Sequence, residues 1–179
     1  MKWTLPLCLA AAPAFAETCP PVADHSAQLS QTMTELGSAV DQAQANRLSQ
    51  ELWALWTDAP DERAQAMLNE GMSRRGNYDF LGSRNVLDRL VEYCPDYAEG
   101  YNQRAFTNYL GGDFEAALVD LDRALSILPT HVAALSGKAL TLIGLGRTDE
   151  AQEVLRAALE LNPWLQERAL LTKPIGTEL

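Results

Sequence analysis

The stretch AEGYNQRAFTNYLGGDFEAALVDLDRALSILPTH at 98–131 runs straight into VAALSGKALTLIGLGRTDEAQEVLRAALELNPWL at 132–165, and the two are one pattern written twice. In each, a large residue (Tyr101, Leu135) is followed four places on by alanine (Ala105, Ala139), and a glycine (Gly112, Gly146) then interrupts the copy. Ala117, Leu121 and Ala124 line up with Ala151, Leu155 and Ala158 before the closing Pro129 and Pro163. Small residues let helix backbones approach to roughly 8–10 Å. Glycine permits the positive φ that leaves a helix, and proline stands where a helix must stop. Gly112-Asp113-Phe114 and Gly146-Arg147-Thr148-Asp149 therefore read as turns that end one helix and cap the next. Each copy is a helix–turn–helix unit, and units of this length stack into a solenoid.

Working outward, Pro60 and Pro95 extend the rhythm, so that the four prolines stand 35, 34 and 34 residues apart. Residues 61–97 form a looser unit that keeps Met67, Gly71, Leu87 and Pro95. It has Ser83 and Leu90 where the others have alanine, and its turn, Arg75-Gly76-Asn77-Tyr78, sets its glycine early. Upstream, Leu29, Met33, Leu36, Val40 and Ala43 recur at helical spacing, and Leu48, Leu52, Leu55 and Trp56 continue the stripe. Residues 26–60 are expected to be a degenerate helical pair that caps the N-terminal end of the solenoid, since terminal units need one polar face. Asp58-Ala59-Pro60-Asp61-Glu62 opens the next helix, with proline early and acids at the positive end of the dipole. Residues 164–179 are expected to be a short capping helix, Trp164 to Leu171, and a tail.

The recurring residues resemble the tetratricopeptide-repeat (TPR) family: a large residue, then small ones in the first helix, then alanine, leucine and alanine in the second, then proline. Residues 98–131 and 132–165 match well, and 64–97 in part. Arg74 and Asn108 stand where the family usually has tyrosine, and Arg104 and Lys138 where it often has leucine. The resemblance implies an all-α, right-handed superhelical solenoid of about three repeats that binds proteins or peptides on a concave face lined by first helices. It also implies which positions would grip the carboxylate tail of heat-shock chaperones. Here these are Leu68, Met72, Gln103, Ala133 and Gly137, none of them charged, so that clamp is absent.

The ends and the charge bound the setting. Lys2, the apolar stretch Leu5 to Ala12 and Ala14-Phe15-Ala16 have the three-part order of a cleavable export signal at 1–16. Residues 17–25 follow as an extended leader, with Pro20-Pro21 favouring open backbone. Without Lys2 the 14 basic residues become 13 against 24 acidic, a net charge of −11. Such a surface repels nucleic acid and anionic headgroups, which need clustered lysine and arginine. No run reaches the roughly 18 apolar residues of a membrane span, so no transmembrane segment is expected in the mature chain. Cleavage leaves Cys19 and Cys94, which an oxidising compartment allows to pair. Two independent thiols are the equal alternative, because pairing depends on a Cα separation that sequence does not reveal.

Catalytic constellations do not emerge. His25 and His131 stand far apart with no metal-ligand spacing, Ser136-Gly137-Lys138 lacks the upstream glycines of a phosphate loop, and Asp120 and Asp122 fall on different helix faces. No enzyme, cofactor or metal is expected. On the concave face the inward places include Leu68, Met72 and Arg75, then Asn102, Phe106 and Tyr109, then Ser136, Leu140 and Ile143. Of these, Met72, Arg75, Asn102, Phe106 and Tyr109 are the candidate partner-binding residues, while Leu68, Leu140 and Ile143 read as core against the N-terminal helices. The expectation is an exported, periplasmic TPR scaffold serving assembly in a bacterial cell envelope. The alternatives are an accessory subunit or chaperone of a secretion or envelope-biogenesis machine and, from another class, an envelope enzyme or small-ligand-binding protein.

Overall fold

The computed structural model describes residues 18–172; the expected export signal at 1–16 and the tail from Lys173 onward lie outside them. The described residues form eight α-helices and no strand: α1 (Ser26–Gly37), α2 (Gln42–Trp56), α3 (Glu62–Gly76), α4 (Phe80–Tyr93), α5 (Ala98–Leu110), α6 (Phe114–Ile127), α7 (Val132–Gly144) and α8 (Thr148–Leu161). A 3₁₀ turn, Gln166–Leu170, follows. The pairs α3/α4, α5/α6 and α7/α8 stack in order, with α3, α5 and α7 side by side along one face. Together they form the helix–turn–helix solenoid that the repeat pattern implies.

Local chemistry sets the boundaries. The carboxylates of Asp41, Asp61, Asp79 and Asp113 accept from the N–H groups of Gln44, Ala64, Gly82 and Ala116 at 2.8, 2.7, 2.9 and 3.2 Å, so four helices begin on a capping aspartate. Each first helix ends with the same backbone closure. Asp79 N–H reaches Arg74 O, Asp113 reaches Asn108 and Arg147 reaches Leu142, all at 2.9–3.0 Å. That closure needs a left-handed residue, and Gly112 and Gly146 supply it with φ of 80° and 74°. In the first repeat the early glycine does not. Helix α3 runs on through Gly76, and Tyr78, 34 residues before Gly112, takes φ 61°. Main-chain closure outweighs the side chain's preference there.

Between the helices the small residues act as the repeat pattern requires. Ala105, Ala117, Ala124 and Ala134 surround Leu121 where α5, α6 and α7 meet, and Ala139 faces Leu155 and Leu159 between α7 and α8. In the first repeat Leu68, Leu87 and Leu90 fill the space, and Gly71 lets α3 lie against the Leu87 side chain.

The N-terminal pair is not where the apolar stripe placed it. Leu36, Ala45, Leu48, Leu52 and Trp56 share a core with Val132, Leu128, Ala133, Leu161, Trp164 and Leu165, and α1 packs on α8. The hairpin lies across to the last repeat rather than capping the first. The reason is visible on α3, whose outer positions Glu62, Arg63, Asn69, Glu70, Ser73 and Arg74 are polar and exposed. The first repeat carries its own polar face, whereas the last presents apolar surface that must be covered.

Two tethers hold the ends. Cys19 and Cys94 are joined by a disulfide with Cα atoms 5.2 Å apart, which ties the leader to the end of α4. The His25 ring lies 2.7 Å from the Asp58 carboxylate and clasps the start of α1 to the loop after α2. At the other end the expected helix over 164–171 is the short 3₁₀ turn. The Gln152 amide fixes it by donating to Leu170 O at 3.0 Å and accepting from Thr172 N–H at 2.9 Å.

Candidate functional site

With the hairpin in place, part of the concave face becomes interior and part stays open. The open part is an apolar cavity of about 310 Å³. Its floor is α5 and α7, where Ala105, Ala133 and Gly137 keep the backbones bare. Phe106, Tyr109 and Leu140 stand around it, and Trp53 of α2 with Leu165 and Glu167 of the C-terminal segment complete the walls. Phe106 and Trp53 remain 46% and 42% exposed, large apolar groups that folding has left wet.

Beneath the hairpin the same face is locked by a buried polar network. Glu99 and His131 are 1% and 0% exposed and meet at 2.8 Å through Nε2 and Oε2. Glu99 also accepts from Asn102 Nδ2 at 3.0 Å and from the Gln103 amide. Gln103 in turn accepts through Oε1 from Arg75 at 2.6 Å. On its far side His131 stacks on Trp56, with ring centres 4.3 Å apart, and Tyr97 donates its hydroxyl to Trp56 O at 2.9 Å. Burial pushes the Tyr97 phenol pKa upward, so it stays a donor. Charges taken out of water are tolerated only when so fully bonded.

The sequence-derived residues sort themselves on this frame. Phe106 and Tyr109 line the cavity. Arg75 sits behind Phe106, its guanidinium 4.5 Å from the ring centre, and burial lowers its pKa. Asn102 borders the cavity, but its amide is spent on Glu99. Met72 is not among the lining residues and packs on the α3–α4 core, because α3 turns that side toward Leu68 and Leu87. Leu140 and Ser136 line the cavity; Leu68 is wholly buried in the α3–α4 core, and Ile143 is exposed rather than packed on the N-terminal helices.

Trp53, Leu165 and Glu167 were not legible as site residues, since their place depends on where the hairpin and the C-terminal turn dock. Outside the cavity, Asp120 is buried on Arg104 (2.5 Å) and Asp122 pairs with Lys138 (2.6 Å), so these acids brace helices. Burial raises the Asp120 carboxyl pKa against the pull of Arg104. Among the described residues no group of three His, Cys, Asp or Glu side chains is placed to hold a metal, and no helix is long and apolar enough to cross a membrane.

Comparison with known proteins agrees with this architecture. Residues 110–170 match the tetratricopeptide repeat family model. The chain is similar to a TPR repeat-containing protein of Rhizobium etli, 26% identical over 139 residues that span 76% of this chain and 67% of that protein. It also resembles a tetratricopeptide repeat protein 36 homolog of Nematostella vectensis, 32% identical over 73 residues, which cover 41% of this chain and 40% of the other. Among solved structures, the first TPR of Spaghetti bound to the HSP90 peptide SRMEEVD superposes with a TM-score of 0.59 at 17% identity, over 61% of this chain and 86% of that one. A crystal structure of MamA reaches 0.52 at 19% identity, over 85% and 79%. These likenesses establish the fold.

Proposed function

We propose that this chain is an exported interaction module that receives an apolar side chain of a protein partner between Phe106, Tyr109, Trp53 and Leu140. The observation that carries the reading is the open cavity itself. The N-terminal hairpin folds over part of the groove, and around the part left open Phe106 and Trp53 stand exposed on facing elements. Exposed aromatics around a concavity are the usual anchor points of a peptide partner. TPR solenoids in general mediate protein–protein interactions, and one structural neighbour was solved with a bound HSP90 peptide. Chaperone-tail recognition does not carry over. At the clamp positions stand buried Leu68, Met72, Gln103 already bonded to Glu99 and Arg75, and the uncharged Ala133 and Gly137.

The Cys19–Cys94 disulfide supports an oxidising compartment, and with the signal-like first sixteen residues it favours the periplasm of a bacterial envelope. A scaffold or adaptor role in envelope assembly fits a solenoid whose open face is an apolar cavity. The test is recovery of the partner from an envelope fraction by the mature protein and by its Phe106→Ala/Tyr109→Ala variant. Loss of recovery with unchanged helicity is expected. Equal recovery by both moves the site off the cavity, and intact protein beginning at Met1 in the cytoplasm removes the export half of the proposal.

A further inference from the structure

Charge around the cavity narrows the partner further. Glu167 is the one charged side chain among the lining residues. It forms no ion pair or hydrogen bond through its carboxylate among the described residues. Among the described residues, the cations of the surrounding elements are used elsewhere. Arg75 is held on Gln103 and offset by buried Glu99, Arg104 on Asp88 and Asp120, and Lys138 on Asp122. Its neighbour Arg168 turns to Pro163 O at 3.5 Å. An apolar recess with one uncompensated carboxylate in its wall, on a chain of net charge −10, presents a negative potential next to a hydrophobic anchor site.

Resting on the reading above, we infer that the partner segment carries a lysine or arginine within two positions of the apolar anchor, the basic group meeting Glu167 while the anchor fills the space beside Phe106. Acidic tails are disfavoured by the same charge. The cation fixes register and speeds encounter, and the apolar contacts supply most of the affinity.

The experiment is selection of a random nine-residue peptide library on the immobilised mature protein. The recovered peptides are then synthesised and titrated by fluorescence anisotropy, with the same peptides carrying Glu in place of Lys and Arg as the acidic comparison. The expected result is enrichment of peptides pairing an aromatic or aliphatic residue with nearby Lys or Arg. Affinity should weaken at least fivefold for Glu167→Lys, less for Glu167→Gln, and the difference between the variants should shrink in high salt. No basic enrichment, or unchanged affinity in Glu167→Lys, overturns this inference while leaving the cavity as the site. Selected peptides that bind the folded Phe106→Ala/Tyr109→Ala variant as well as the unaltered protein overturn the cavity reading itself, and equal or tighter binding of the Glu-substituted peptides overturns the charge argument.

Discussion

Replacing Tyr78 by glycine should make this protein more stable, an unusual result for deleting an aromatic side chain. Three structurally equivalent residues, Tyr78, Gly112 and Gly146, close the first helices of the three repeats in the left-handed region, with φ of 61°, 80° and 74°. A side chain there costs roughly 1–2 kcal/mol. Glycine returns roughly 0.5–1 kcal/mol of that through the freedom of the unfolded chain. Tyr78 is 83% exposed, so little burial is lost; its edge contact to Phe80, with ring centres 6.2 Å apart, adds at most about half a kcal/mol to the loss. The net gain is about 0.5 kcal/mol, or a rise of about 1–2 °C in Tm for a chain of this size.

The opposite change at an equivalent place sharpens the test. A Cβ on Gly146 meets nothing within 4 Å, so Gly146→Ala isolates the backbone term and should destabilise by about 0.5–1 kcal/mol. Urea unfolding followed by circular dichroism, at unchanged m, measures both. A Tyr78→Gly protein that melts below the parent, or a Gly146→Ala protein that melts above it, refutes the assignment of backbone strain to this position.

Other outcomes follow from the tethers and the buried network. The disulfide closes a sequence separation of 75 residues, so Cys94→Ser or full reduction should lower stability by about 4 kcal/mol in denaturant titrations. Glu99→Ala strands His131, Asn102 and Gln103 in the interior and should cost about 3–5 kcal/mol; a loss under 1 kcal/mol in thermal melts would show the network to be wet. The His25 pKa is raised above its ordinary 6.5, first by the hydrogen bond to Asp58 and then by Gln28. The clasp therefore contributes fully below that ordinary value and fades as the pH climbs through the higher folded one. With Asp58 55% exposed the contribution stays under about 1 kcal/mol, and Asp58→Asn should flatten stability across that window.

Much of the molecule was legible because its instructions are local. The 34-residue spacing of alanine, glycine and proline is read within one helix–turn–helix unit. Helices α5 to α8 accordingly fall inside the units at 98–131 and 132–165 that the pattern delimits, and Phe106 and Tyr109 face the concave side as the first-helix register implies. The capping aspartates act on N–H groups three residues away, a range a sequence displays openly.

What the sequence by itself determined is therefore the repeat, its helices and the face their register turns inward. The tertiary structure alone decided where the N-terminal hairpin docks, that Cys19 meets Cys94, and that Trp53 and Glu167 join Phe106 at one cavity. An apolar stripe states that a helix must be buried but not against which surface. The hydrophobic effect is non-directional, and the choice falls to whichever distant face is least covered. Here that face belongs to the last repeat, because α3 already turned polar side chains outward.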